Sequence, residues 1–106
     1  MKYEIIWSDF AKEEIDKIHE FYQNRTKSLN IANRIIKNIL IAPDLLRHSP
    51  EIGQREPALV KRKLEYRYII ESNYKIIYTI NKIKKQVRIT DVFDTRQRPD
   101  KIERNK

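Results

Sequence analysis

From Tyr66 to Phe93 the chain alternates apolar with polar or basic residues at a period of two, in the runs Tyr66 to Glu71, Tyr74 to Ile80 and Val87 to Phe93. Successive strand side chains point to opposite faces, so this pattern predicts a sheet with one packed face and one face that gathers cations. Turn signals at Ser72-Asn73 and from Asn81 to Lys85 divide the region into hairpin-connected strands over Lys61 to Glu71, Tyr74 to Ile80 and Gln86 to Asp94. A break is expected near Glu65-Tyr66. Parity places Tyr68, Ile70, Tyr74, Ile76, Tyr78, Ile80, Val87 and Ile89 inside. It leaves Arg67, Ile69, Lys75, Ile77, Arg88 and Val92 on an open, mixed basic and apolar face.

The first half carries a different period. Tyr3 to Trp7 reads as a strand, and Ser8 is a good cap for a helix starting near Asp9. Ala11, Ile15, Ile18 and Tyr22 recur at helical spacing and form one apolar stripe, with Glu13 and Lys17 placed to pair on the wet side. That helix is expected to end between Asn24 and Thr26. Ser28 then caps a second helix with Leu29, Ala32, Ile35, Ile36, Ile39 and Leu40 on one side. Pro43 interrupts it. The two helices predict an antiparallel hairpin laid on one sheet face, leaving the other free. The fold class is thus α+β, in the order β-α-α followed by three or four strands.

A length of 106 residues suits one domain, 1–106, with a short basic tail from about residue 97. The chain has no cysteine, which excludes disulfide staples and thiolate metal sites and agrees with a reducing cytosol. His19 and His48 have no second ligand at metal spacing, and one glycine cannot build a phosphate-cradling loop, so no metal or cofactor is expected. No signal-peptide core or membrane-length apolar run is found, which predicts a cytoplasmic protein. Residues 1 to 42 carry seven Lys/Arg against six Asp/Glu, whereas residues 43 to 106 carry sixteen against nine. This asymmetry, within a formal charge of +8, points to nucleic acid or an acidic protein as partner. A solvated, lysine-rich surface is the plain alternative.

Several marks, in this order, resemble the RelE/ParE superfamily of bacterial toxins from type II toxin–antitoxin modules. They are Tyr3-Glu4-Ile5-Ile6-Trp7-Ser8 with Ala11 and Ile15, then Pro50 and Gly53, then Arg62-Lys63-Leu64 with Tyr74-Lys75-Ile76-Ile77-Tyr78, and finally Val92-Phe93-Asp94-Thr95-Arg96. The resemblance implies a helical hairpin on a largely antiparallel sheet, an acidic antitoxin partner, and growth inhibition by the free toxin. It also implies one of two actions: RelE-like members cut messenger RNA on the ribosome, and ParE-like members poison DNA gyrase. RNA cleavage needs cations at the phosphate and groups that move protons. Arg67, Lys75 and Arg96 are the candidates for the first need. Lys75 and Arg67 match basic positions of cutting members.

The second need is poorly met, because no aromatic follows Phe93 where cutting members often carry a tyrosine or histidine. Asp94 and Arg96 read more simply as a strand-end ion pair. The docking surface for the antitoxin or another ligand is expected at Arg67, Ile69, Lys75, Ile77, Arg88 and Val92. From a different class, a non-catalytic RNA-binding or regulatory module would use the same basic face.

Overall fold

Ser8 is where the first strand becomes the first helix, and its hydroxyl explains the switch. In the computed structural model, which describes residues 2–105, Ser8 Oγ accepts from the Ala11 N–H at 3.1 Å and donates to the Thr90 carbonyl at 3.3 Å. It therefore satisfies one of the orphan donors at the helix start and ties that start to the sheet. The strand β1 spans Glu4–Trp7 and the helix α1 spans Asp9–Thr26, ending at Lys27 in the left-handed region. Ser28 caps α2, Leu29–Ile41, through the Ile31 N–H. Pro43 turns the chain into a 3-10 segment, Ala42–Arg47, as its missing N–H requires.

The remaining strands are β2 (Gln54–Arg55), β3 (Arg67–Glu71), β4 (Tyr74–Asn81) and β5 (Gln86–Asp94). They form a five-stranded sheet in the order β1-β5-β4-β3-β2, antiparallel except for the parallel β1–β5 pair. The hairpin α1–α2 covers one face, as expected. There Ala11, Ile15, Ile39 and Leu46 pack on Tyr74, Ile76, Tyr78, Val87 and Ile89, with Ile18, Tyr22, Ile35 and Ile36 at the margin. Leu29 and Leu40, expected in the same stripe, are about half exposed. Lys17 pairs with Glu14 at 3.2 Å rather than with Glu13.

The face parity of two strands differs from the sequence reading. Glu71 stands opposite Tyr74 across the Ser72-Asn73 turn, so odd-numbered residues of β3 oppose even-numbered residues of β4. Cross-strand neighbours share a face. Arg67, Ile69 and Glu71 therefore lie on the helix side with Tyr78, Ile76 and Tyr74, while Tyr68 and Ile70 lie on the second face with Ile77 and Lys75. In β5 the register shifts: Tyr78 pairs with Ile89 but Ile77 pairs with Asp91, so Thr90 is an extra residue. This bulge flips every side chain after it. Val92 consequently joins the helix-side core, and Asp91 and Phe93 face the other way.

The second face is not open either. The 3-10 turns Pro57–Leu59 and Pro99–Arg104 lie over it, burying Leu59 and Ile102 against Ile77 and Phe93. The tail read as a basic extension is thus a cover. Its fastening is Arg104, which contacts both Asp91 oxygens at 3.0 Å and Glu14 Oε1 at 2.6 Å. The guanidinium carbon lies 5.2 Å from the ring centres of both Phe10 and Phe93. Asn105 adds a hydrogen bond at 2.8 Å to the Thr90 carbonyl, which Ser8 also reaches.

Candidate functional site

The three candidate catalytic cations come from different parts of the sheet. Arg67, at the start of β3, lies on the helix side against the loop that carries the only glycine. Its Nε is 2.8 Å from Glu65 Oε2, and its Nη1 donates to the carbonyls of Gly53 at 2.7 Å and Glu51 at 3.1 Å. The same loop is held by Tyr78, whose hydroxyl accepts from the Gly53 N–H at 3.0 Å and donates to the Pro50 carbonyl at 2.7 Å. Burial pushes the Tyr78 phenol up, with Gly53 and Arg67 opposing that shift. Arg67 works here as a loop clamp.

Lys75 points to the second face, opposite to Arg67, because Tyr74 and Ile76 flank it in an extended strand and both face the helices. Its Nζ meets Glu56 Oε1 at 2.7 Å and sits 4.3 Å above the Tyr68 ring. The Glu56 side chain is only 2% exposed, and its other oxygen accepts from the Ala58 N–H at 2.9 Å. A buried carboxylate is tolerated when paired and hydrogen-bonded, and Lys75 supplies that pairing.

Arg96 follows β5 and forms the expected strand-end pair with Asp94, at 2.8 Å between Nη2 and Oδ2. Hydrogen bonding from Arg96 holds the Asp94 carboxyl below the ordinary range, against the effect of burial. Nearby Tyr74 bonds Tyr22 at 3.3 Å, and burial followed by that hydrogen bond pushes its phenol far up. Such a hydroxyl is a poor base near neutrality. Arg96 lies beyond the Tyr74 end of β4, whereas Arg67 lies at Tyr78, four residues away and about 13 Å along the strand.

The residues foreseen as a docking surface also separate. Ile77 and Val92 are 0% and 2% exposed, and Ile69 packs at the edge of the helix-side core. The open apolar face therefore does not exist as expected, since a turn-borne parity change, the bulge and the tail each remove part of it. Arg88 alone of the six is exposed. His19 contacts Asn33 at 2.8 Å, and the described residues hold no cluster of three or more His, Cys, Asp or Glu able to bind a metal. No helix among them is long and apolar enough to cross a membrane.

Sequence reasoning missed Glu56, Asp91 and Arg104. An aspartate within the apolar run Val87 to Phe93 was the available signal for one of them. Its partner, thirteen residues on, has no local pattern to announce it.

The architecture is similar to that of "Chromosomal ParDE TA system from P. aeruginosa", with a TM-score of 0.69 and 14% identity, covering 88% of this chain and 96% of that one. It is also similar to the toxin–antitoxin complex RelBE2 from Mycobacterium tuberculosis, with a TM-score of 0.56 and 15% identity over 89% of this chain and 99% of that one. No curated protein sequence matches. The family described as "ParE toxin of type II toxin-antitoxin system, parDE" matches residues 5–99, nearly the whole sequence. On that match the chain belongs to the ParE toxin family of type II toxin–antitoxin systems.

Proposed function

We propose that this toxin inhibits growth in the cytoplasm as ParE-like members do, by poisoning DNA gyrase without cutting RNA, and that a cognate acidic antitoxin neutralises it. One observation carries the choice of target: Arg67 and Lys75 point to opposite faces, and Arg67, Lys75 and Arg96 each hold a carboxylate at 2.8 Å or less. Phosphoryl transfer to a 2′-hydroxyl requires cations converging on one phosphate beside a proton carrier. Ion-paired cations on two faces do not supply that. The antitoxin reading is supported by family membership, by the net charge of +8, and by the outer edge of β3 beyond the two-residue β2, where Ile70 is 56% exposed. An added strand or an acidic amphipathic segment fits such an edge.

Expression without antitoxin, with RNA ends mapped and DNA breaks scored, tests this. The expected result is intact messenger RNA with gyrase-dependent breaks, and Lys75→Ala or Arg67→Ala affecting activity only as far as they lower the amount of folded toxin. Ribosome-dependent cuts that disappear in both variants at unchanged fold would reverse the assignment.

A further inference from the structure

Among the described residues, most cations that face a cleft are tied to carboxylates, but one set is not. A cleft of about 260 Å³ is lined by Asp9, Phe10, Arg62, Tyr66 and Arg88 among others, and a smaller one of about 100 Å³ by Arg55, Arg62, Lys63 and Tyr66. The two adjoin at Arg62 and Tyr66, which line both, and Asn105 of the tail lines the larger one, so together they form a track at the margin of the second face beside the tail. Among the described residues, Arg62, Lys63 and Arg88 form no salt bridge, whereas Glu56 and Glu65 on the same rim are already occupied by Lys75 and Arg67. The Arg62 guanidinium stands 5.6 Å from the Tyr66 ring centre and is steadied by the Glu103 carbonyl at 3.2 Å.

We propose that this track binds a single strand of nucleic acid, with Arg88, Lys63 and Arg62 on successive phosphates and the Arg62–Tyr66 pair as a stacking platform for a base. Unpaired cations gain from releasing the counterions of a phosphodiester chain, and guanidinium forks fit phosphate oxygens. A nucleic acid strand carries a flat base beside every phosphate for the Arg–Tyr pair, whereas a run of acidic side chains meets the charges without the stack, which favours a nucleic acid strand. Asp9, at the start of α1, adds an opposing charge on this rim beside the paired Glu56 and Glu65. The inference does not depend on gyrase being the target, because binding is read on the isolated chain.

The test is fluorescence anisotropy of the full chain, freed of antitoxin, with labelled oligothymidylate and oligouridylate of about 12 nucleotides, a length within the usual single-strand site size. Either sugar satisfies the proposal, and their ratio tells whether DNA or RNA is the source. Arg88→Glu, an exposed change that spares the core, should weaken binding about tenfold and lower the salt slope by about 1. Asp9→Asn should tighten it. Arg34→Glu, the same charge change on the exposed side of α2, should leave it within about twofold, since screening limits distant charges. No binding at low salt, equal losses in Arg88→Glu and Arg34→Glu, or equal competition by polyglutamate of matched length would each overturn the assignment.

Discussion

Arg104 joins three separated parts of the chain: the tail that carries it, Glu14 on α1 and Asp91 on β5. Asp91 is 2% exposed, so removing its partner leaves a buried charge uncompensated. Arg104→Met keeps the contacts with Phe10 and Phe93 but loses the pair, and is expected to destabilise by about 3 kcal/mol in urea unfolding. Burial already raises the Asp91 carboxyl above its ordinary value, with Arg104 pulling it down. In the variant that pull is gone, so the folded carboxyl holds its proton more tightly than the unfolded one. The deficit should then be full near neutrality and shrink as pH falls through the folded-state pKa; a gap that widens on acidification would contradict the account. Gly53 shows another residue-scale constraint. Its φ of −70° suits any residue, but a Cβ there would lie 2.7 Å from the Tyr68 carbonyl oxygen and 2.9 Å from Tyr78 Cε1. Backbone oxygen within the sheet cannot retreat as a flexible side chain can. Gly53→Ala should cost about 2 kcal/mol, measured as a lower denaturation midpoint.

At the scale of elements, the helices were legible and the strand faces were not. Ser8 and Ser28 cap where their hydroxyls predicted, and Ala11, Ile15, Ile18 and Tyr22 meet the sheet as their spacing required, because helix period and capping are local properties. Strand parity is not local. The Glu71–Tyr74 register sets which face Arg67 occupies, and one extra residue at Thr90 moves Val92 to the helix-side core and Asp91 to the second face under the tail. The freed Thr90 carbonyl is taken by Ser8 and Asn105, so the bulge, the α1 cap and the tail support one another. Ending the chain before Pro99 should therefore uncover Ile77, Phe93 and Asp91 together. We expect a loss larger than that of Arg104→Met, read as a lower urea midpoint with exposed apolar surface; a truncated chain with an unchanged midpoint would show the tail to be a bystander.

For the whole molecule, charge is divided between structure and surface. Glu65, Glu56 and Asp94 each hold one of the cations that sequence reading offered for catalysis, while Arg62, Lys63 and Arg88 remain without carboxylates among the described residues. The proposed action without RNA cleavage rests on this division, in which the held cations contact a loop carbonyl, a buried glutamate and a strand-end aspartate. Sequence alone determined the order of first strand, two helices and the later hairpin strands, both helix caps, the α+β class and the superfamily, because these rest on short-range periods, cap chemistry and an ordered set of local residue marks. Tertiary structure alone decided the register between β3 and β4, the bulge in β5 and the docking of the tail. Those depend on pairings between residues far apart in the chain, and they determine which cations reach solvent and which are spent on a neighbouring carboxylate.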